Sequence, residues 1–224
     1  MTGPGIGNVL EAIKTVRVAA PHILLAWGSY HATLAFRGIS REGLVDIVVR
    51  GPDEATSVAL ADSADSGTGF TPGALAGIPN PAFSDGRMDI SSGTSRRRVT
   101  TTGCGFAIDP RSLPPTDYTL LPVTDYCTAA VRDLSYNISS FGCPHPCTFC
   151  SEPQTSLRRW KAFLAKRVVD EDSNLWDTYK PDQITLLDPN FSTNIQRVVN
   201  VVELLEQRGL YIQLRADMRT TDAD

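Results

Sequence analysis

With 224 residues the chain has room for one large domain or two small ones, and a 42% hydrophobic share suits an ordinary globular core. A formal charge of −4 and a pI near 5.4 give no overall attraction for nucleic acid or anionic lipid, and the one basic run, Arg96-Arg97-Arg98, reads as solvated surface. No stretch approaches the roughly 20 apolar residues that span a bilayer, and no charged segment followed by an apolar leader core opens the sequence, so a cytoplasmic protein with no nucleic-acid or membrane partner is expected.

Asn8 and Glu11 form a capping-box-like start, after which Val9, Ala12, Ile13 and Val16 recur at helical spacing and predict a helix over residues 9–19. The apolar run 23–27 predicts a buried strand, followed by a turn over 28–33 and a second strand over 45–49. Arg50-Gly51-Pro52-Asp53-Glu54 then leads into a helix reaching about residue 61. Together these make an α/β unit, in which ligands bind at the carboxyl ends of the strands. Residues 63–77 read as loop, and Asp85-Gly86 as a hairpin turn between short strands. Four prolines between residues 109 and 122 suggest a surface linker, with a domain boundary before about residue 130.

From residue 135 the pattern becomes strand (135–141), helix (157–169, continuing after a break toward 179), strand (183–187), helix (195–207) and strand (211–216). The second helix groups Ile195, Val198, Val199, Val202 and Leu205 on one face. Ser192 or Thr193 is placed to cap it, and Gly209 to close it. Repeated βα units build a parallel sheet with right-handed crossovers, and active residues collect at the strand ends.

The most specific chemistry is the run Cys143-Pro144-His145-Pro146-Cys147-Thr148-Phe149-Cys150. Soft thiolates at C-x3-C-x2-C spacing can hold three corners of an iron–sulfur cube, leaving one iron open. An open metal position is where a small molecule can bind. The competing reading is structural zinc with His145 as fourth ligand, although no second distant cysteine pair supports it. Cys104 and Cys127 stand alone and read as small, partly buried thiols, either able to add a fourth sulfur. Five cysteines so distributed suit a reducing compartment rather than a disulfide framework. Glu152 reads as solvating the loop, and Arg215, Asp217 and Arg219 lie at or past the last strand end.

With Phe149 before the last cysteine, the motif C-x3-C-x-aromatic-C resembles the radical S-adenosylmethionine (SAM) superfamily. The resemblance implies that Cys143, Cys147 and Cys150 bind a 4Fe-4S cluster, that Phe149 lines the SAM pocket, and that SAM is cleaved reductively to a 5′-deoxyadenosyl radical. Residues 188–191, Asp-Pro-Asn-Phe, resemble a D-x-N-F segment of the cobalamin-associated branch, which makes Asp188 and Asn190 candidates to hydrogen-bond SAM. Helix-entry turns favour Asp and Asn without any ligand. Gly28, His31 and Thr33, then Val45, Asp46, Val48, Val49, Gly51 and Glu54, resemble the later half of the cobalamin-binding domain of that branch. Ser29 and Pro52 depart from its pattern, and its opening strands have no counterpart. Gly28 and His31 are thereby candidates to touch cobalamin.

The resemblance implies an α/β fold: a partial Rossmann-like cobalamin-binding domain (1–62), a hairpin and linker (63–130), and the first part of a radical SAM (β/α) barrel (131–224), incomplete because a full barrel takes about 250 residues. It implies radical methylation or rearrangement of an unknown substrate, with an electron donor such as a flavodoxin or ferredoxin. The alternative is a non-catalytic metal-binding or interaction module that keeps the cysteine loop.

Overall fold

The computed structural model describes residues 5–67, 70–84, 98–103, 109–126 and 133–222. The chain divides into two compact units, Met1–Ile108 and Asp109–Asp224, both mixed α/β. Among the described residues no helix is long and apolar enough to cross a membrane.

The first unit runs α1 (Gly5–Ala19), β1 (Ala26–Trp27), α2 (Ser29–Glu42), β2 (Ile47–Val49), α3 (Glu54–Asp65), α4 (Pro72–Ala76), β3 (Pro81–Ser84) and β4 (Val99–Thr101). These strands form one sheet in the order β1-β2-β3-β4, parallel between β1 and β2 and antiparallel thereafter. β2 is buried on both faces, which explains its unbroken apolar run. Val48 joins Trp27, Ala32, Ile39 and Ala82 on one side, and Ile47 and Val49 join Leu60, Leu75 and Phe83 on the other. A half-buried ion pair, Arg17 Nη2 to Asp46 Oδ2 at 2.6 Å, ties α1 to the entry of β2, and Asp46 also accepts the Leu25 N–H.

Two expectations are corrected here. Of the expected turn only Gly28 stays extended, and residues 29–33 are the start of α2, because Ala32 and Ile39 reach the core at helical spacing while Gly43, at φ 67°, closes the helix onto the Ile39 carbonyl. The stretch expected as loop contains the end of α3 and all of α4. Thr71 accepts the Ala74 N–H, and Pro72 takes the first helical position, where its missing N–H costs nothing. The Asp85-Gly86 turn, Cys104 and Cys127 lie outside the described residues, as do Arg96 and Arg97.

The second unit opens with three 3-10 turns, Pro110–Ser112, Tyr118–Leu120 and Val123–Tyr126, the first two capped by Asp109 and Asp117. β5 (Asp133–Asn137), β6 (Ser140–Gly142), α5 (Glu152–Thr155), β7 (Trp160–Ala162), α6 (Ala165–Tyr179), β8 (Gln183–Leu186), α7 (Ile195–Gln207) and β9 (Gln213–Ala216) follow. β5, β8 and β9 form a parallel sheet in that order, and β6 and β7 a separate antiparallel pair. α6 and α7 pack on β8 through Val168, Val169, Leu186, Phe191, Val201 and Leu205.

The single strand expected at 135–141 is therefore two strands that part at residues 138–139. Residues 157–162 are not helical, since Leu157 and Arg158 take left-handed φ values of 55° and 57° and turn the chain into β7. The helix begins only at Ala165. The proline-rich stretch expected as a linker is fastened to α6 by Arg167, whose Nη1 donates to the Pro110 and Leu113 carbonyls at 3.1 and 2.6 Å and whose Nη2 donates to that of Pro114. Its guanidinium also lies 3.9 Å over the Phe163 ring.

α7 keeps its expected bounds but turns a neighbouring stripe inward. Arg197, Val201 and Leu205 are buried, whereas Ile195, Val199 and Val202 stand partly in solvent. Asn194, rather than Ser192 or Thr193, caps it by accepting the Arg197 N–H. Gly209, at φ 64°, closes it as expected.

Candidate metal centre

Strand β6 delivers the chain into the cysteine loop through Gly142, whose φ of 79° favours glycine. A Cβ here would lie 2.1 Å from the Arg159 carbonyl oxygen and 2.9 Å from the Ser156 Cβ, so β6 can meet the turn before β7 only over a bare α-carbon. The sequence reading passed over this glycine. Its signal was its place, directly before Cys143.

Cys143, Cys147 and Cys150 are all free thiols, the first buried, the second half-buried and the third exposed. The His145 backbone N–H donates to the Cys143 sulfur, and the Glu152 N–H to the Cys150 sulfur at 3.4 Å. Burial pushes the Cys143 thiol up and nearby Glu152, Cys147 and Cys150 add to this, against the His145 N–H. A bound metal's positive charge would answer that penalty, since a coordinating thiol is deprotonated outright.

Among the described residues no group of three His, Cys, Asp or Glu is arranged to hold a metal ion. A four-iron cluster takes one thiolate per corner. Three free thiols on one loop, two of them already receiving N–H bonds, therefore fit an iron–sulfur cluster by donor chemistry.

His145 is engaged elsewhere: Arg219 Nη1 lies 2.7 Å from its Nδ1 and 3.2 Å from its Nε2. A guanidinium only donates, so the facing ring nitrogen accepts. Arg158 Nε donates to the Pro144 carbonyl at 3.2 Å, giving the loop a second external tie. Glu152 does not solvate the loop as expected. It is buried, accepting from Thr155 Oγ1 at its carboxylate and from Ser156 Oγ at its carbonyl. Phe149 is 92% exposed, so its ring belongs to no core and is free to face a ligand.

Asp188 and Asn190, at the carboxyl end of β8, are both buried. Asp188 Oδ1 accepts the backbone N–H groups of Ser139 and Ser140 at 2.6 and 2.9 Å, and Oδ2 accepts their hydroxyls at 2.6 and 2.7 Å. Asn190 Nδ2 donates to Thr193 Oγ1 and Asp222 Oδ2, and its Oδ1 accepts from Ser192 Oγ and the Arg219 N–H. The Ser192 and Asn190 bonds hold the Asp222 carboxyl below the usual range. With the Phe191 N–H donating to the Asp217 carbonyl at 2.9 Å, the loops leaving β6, β8 and β9 are joined into one layer. Arg215 is exposed on β9, so of the two arginines only Arg219 meets the cysteine loop.

In the first unit Gly28 precedes α2, and a Cβ on it would meet Asp53 Oδ2 at 2.5 Å. Thr33 Oγ1 donates to the Ser29 carbonyl and accepts the Gly51 N–H, joining the first turns of α2 to the loop that leaves β2. His31 packs against Trp27 with ring centroids 5.4 Å apart and lines a groove of about 190 Å³ with Ile6, Leu10 and Glu42. Burial pushes the Glu54 carboxyl up, and its Oε2 is buried without a hydrogen-bond partner.

The chain is 27% identical over 199 residues to the uncharacterized methyltransferase PH0819 of Pyrococcus horikoshii, covering 88% of this chain and 40% of that protein. It is 26% identical over 228 residues to the anaerobic magnesium-protoporphyrin IX monomethyl ester cyclase of Cereibacter sphaeroides, covering 99% of this chain and 34% of that one. Two structures of the radical SAM methyltransferase TsrM from Kitasatospora setae share its fold. One, with cobalamin and a [4Fe-4S] cluster bound, superposes with a TM-score of 0.63; the other, with tryptophan and a SAM analogue, with 0.60. Each is 19% identical and covers 92% of this chain and 37% of TsrM. No protein-family profile matches this chain. It spans well under half the length of each of these relatives.

Proposed function

We propose that this chain is the cluster-bearing part of a radical SAM enzyme, with Cys143, Cys147 and Cys150 as the protein ligands of a 4Fe-4S cluster. The observation that carries the reading is the loop itself: three free thiols at C-x3-C-x2-C spacing, two of them receiving backbone N–H groups, beside the carboxyl end of a parallel sheet. A cluster held there would supply the single electron for reductive carbon–sulfur cleavage of SAM to methionine and a 5′-deoxyadenosyl radical, and a flavodoxin- or ferredoxin-like donor would restore that electron. The chain's own residues hold the loop in shape: Gly142 lets β6 close on the turn before β7, Arg158 and Arg219 tie its Pro144 and His145, and Phe149 offers an exposed ring to the adenine. Methylation of an unreactive carbon is the finer reading, supported by the methyltransferases among the relatives. Cobalamin enters only by that kinship, through Gly28 and His31, and its retention by the purified chain is a separate measurement.

Anaerobic reconstitution with iron and sulfide tests the cluster. The expected result is close to four irons per chain, a cubane electron paramagnetic resonance signal on reduction, and loss of both in Cys143→Ala, Cys147→Ala or Cys150→Ala. Stoichiometric zinc with no cluster signal would falsify the assignment. Appearance of 5′-deoxyadenosine on addition of SAM and a strong reductant separates an enzyme from a module that merely binds metal.

A further inference from the structure

We infer that Asp188 is a positioning residue for the cysteine loop rather than a ligand of SAM, an inference whose functional meaning rests on the cluster proposed above. A carboxylate has about four lone-pair sites, and all four are taken here by the two N–H groups and two hydroxyls of Ser139 and Ser140. Nothing remains on Asp188 for a bound molecule to use.

What those four bonds hold is the place where the chain leaves the parallel sheet. β5 ends at Asn137 and β6 begins at Ser140, so the Ser139-Ser140 step carries the chain out of one sheet and into the other, three residues before Cys143. Two consecutive N–H groups aimed at one carboxylate oxygen fix the backbone at that step. The hydroxyls, both fully buried, fix the other oxygen.

Arg197 braces the same step from behind. Its Nη2 donates to the Ser139 carbonyl and to Ser139 Oγ, each at 2.7 Å, and its Nε donates to the Phe163 carbonyl at 2.9 Å, just past β7. The Phe163 N–H in turn donates to the Ser139 carbonyl at 3.0 Å. Ser139 Oγ, already accepting from Arg197, must send its own proton to Asp188. The order of donation is thus set from α7 through Ser139 to the end of β8. It also places a buried cation and a buried anion on either side of one serine, an arrangement that is costly to break from either side. Burial lowers the affinity of Arg197 for its proton, and the Asp188 charge opposes this.

Asp188→Asn tests the assignment. The amide offers one acceptor atom in place of two, and its Nδ2 donates where the Ser139 and Ser140 hydroxyls now donate, so those two hydroxyl protons lose their acceptor. Hydrogen exchange on the metal-free 224-residue chain is expected to quicken about tenfold or more over residues 139–150 while α6 keeps its protection. In reconstituted protein the cluster signal is expected to broaden and iron to be lost faster, with the remaining loaded molecules binding SAM as the unmodified chain does.

Ser140→Ala removes one hydroxyl bond and keeps the charge, so it reads the same local effect at smaller size should the asparagine variant fail to fold. Unchanged exchange over 139–150 in both variants overturns the inference. A SAM affinity that falls tenfold in Asp188→Asn but not in Ser140→Ala also overturns it, whatever the exchange shows. Failure of the unmodified chain to take up a cluster refutes the proposed function alone, because the exchange measurement needs no metal.

Discussion

Each unit carries an acidic residue and a glycine at its strand ends, and they are treated in opposite ways. Glu54 follows β2 with a buried oxygen that no described group serves, while Asp188 follows β8 with every lone-pair direction taken. Gly28 adopts an ordinary φ of −114° and meets only the tip of the Asp53 side chain, whereas Gly142 has a left-handed φ and faces a backbone carbonyl. A flexible carboxylate can swing away from an added methyl group. A carbonyl inside a strand connection cannot. The second unit therefore constrains its loops through groups that cannot yield, which suits the cluster loop proposed above. The first unit keeps slack at the corresponding strand ends.

The largest contrast should appear at the glycines. Gly142→Ala combines a left-handed backbone with a 2.1 Å approach to the Arg159 oxygen, and a loss of roughly 3 kcal/mol or more in urea unfolding is expected, together with failed iron uptake. A stability within about 1 kcal/mol of the unmodified chain would show that β6 and the Arg159 turn can separate freely. Next comes Asp188→Ala, which orphans four buried donors and leaves Arg197 without its counter-charge. Roughly 3 kcal/mol is expected, and a near-neutral result would mean that water replaces the carboxylate.

Gly28→Ala should cost less than about 1 kcal/mol, because Asp53 makes no side-chain cap bond to α3 and can rotate aside. If it proved as damaging as the Gly142 change, the slack assigned to the first unit would be wrong. The smallest effect is reserved for Glu54→Gln. Burial raises the folded-state pKa of Glu54 above its unfolded value, so the folded chain binds the proton more tightly and stability falls as pH rises through the interval between the two. The glutamine variant should melt slightly higher at neutral pH and lose that part of the pH dependence. An unaltered melting profile between pH 4 and 7 would show the Glu54 charge to be solvated.

Much of the second unit was legible in linear order. The apolar spacing of residues 195–207 and the glycine after them marked α7 correctly, because a helix closed by a left-handed glycine is a local event. The inward stripe was not legible, since two adjacent stripes fit the same period. Arg197 turned its own stripe inward by bonding to carbonyls 34 and 58 residues away. The sole hint was a charged residue in line with Val201 and Leu205. In the same way Asp188 was visible as a residue of interest, but its partners were not, because Ser139 and Ser140 lie about 50 residues earlier and carry no motif of their own.

The start of α2 was misread for a related reason. Gly28 and Ser29 favour a turn locally, and only the packing of Ala32 and Ile39 against the sheet carries the helix back to Ser29. Donor chemistry is a property of residue type and short spacing, so three sulfurs in eight residues mark the candidate soft-metal loop before any folding is considered. Which groups hold that loop still depends on atoms brought together from distant positions. Those pairings are settled by burial, where most polar atoms find a partner, and no linear pattern encodes that requirement.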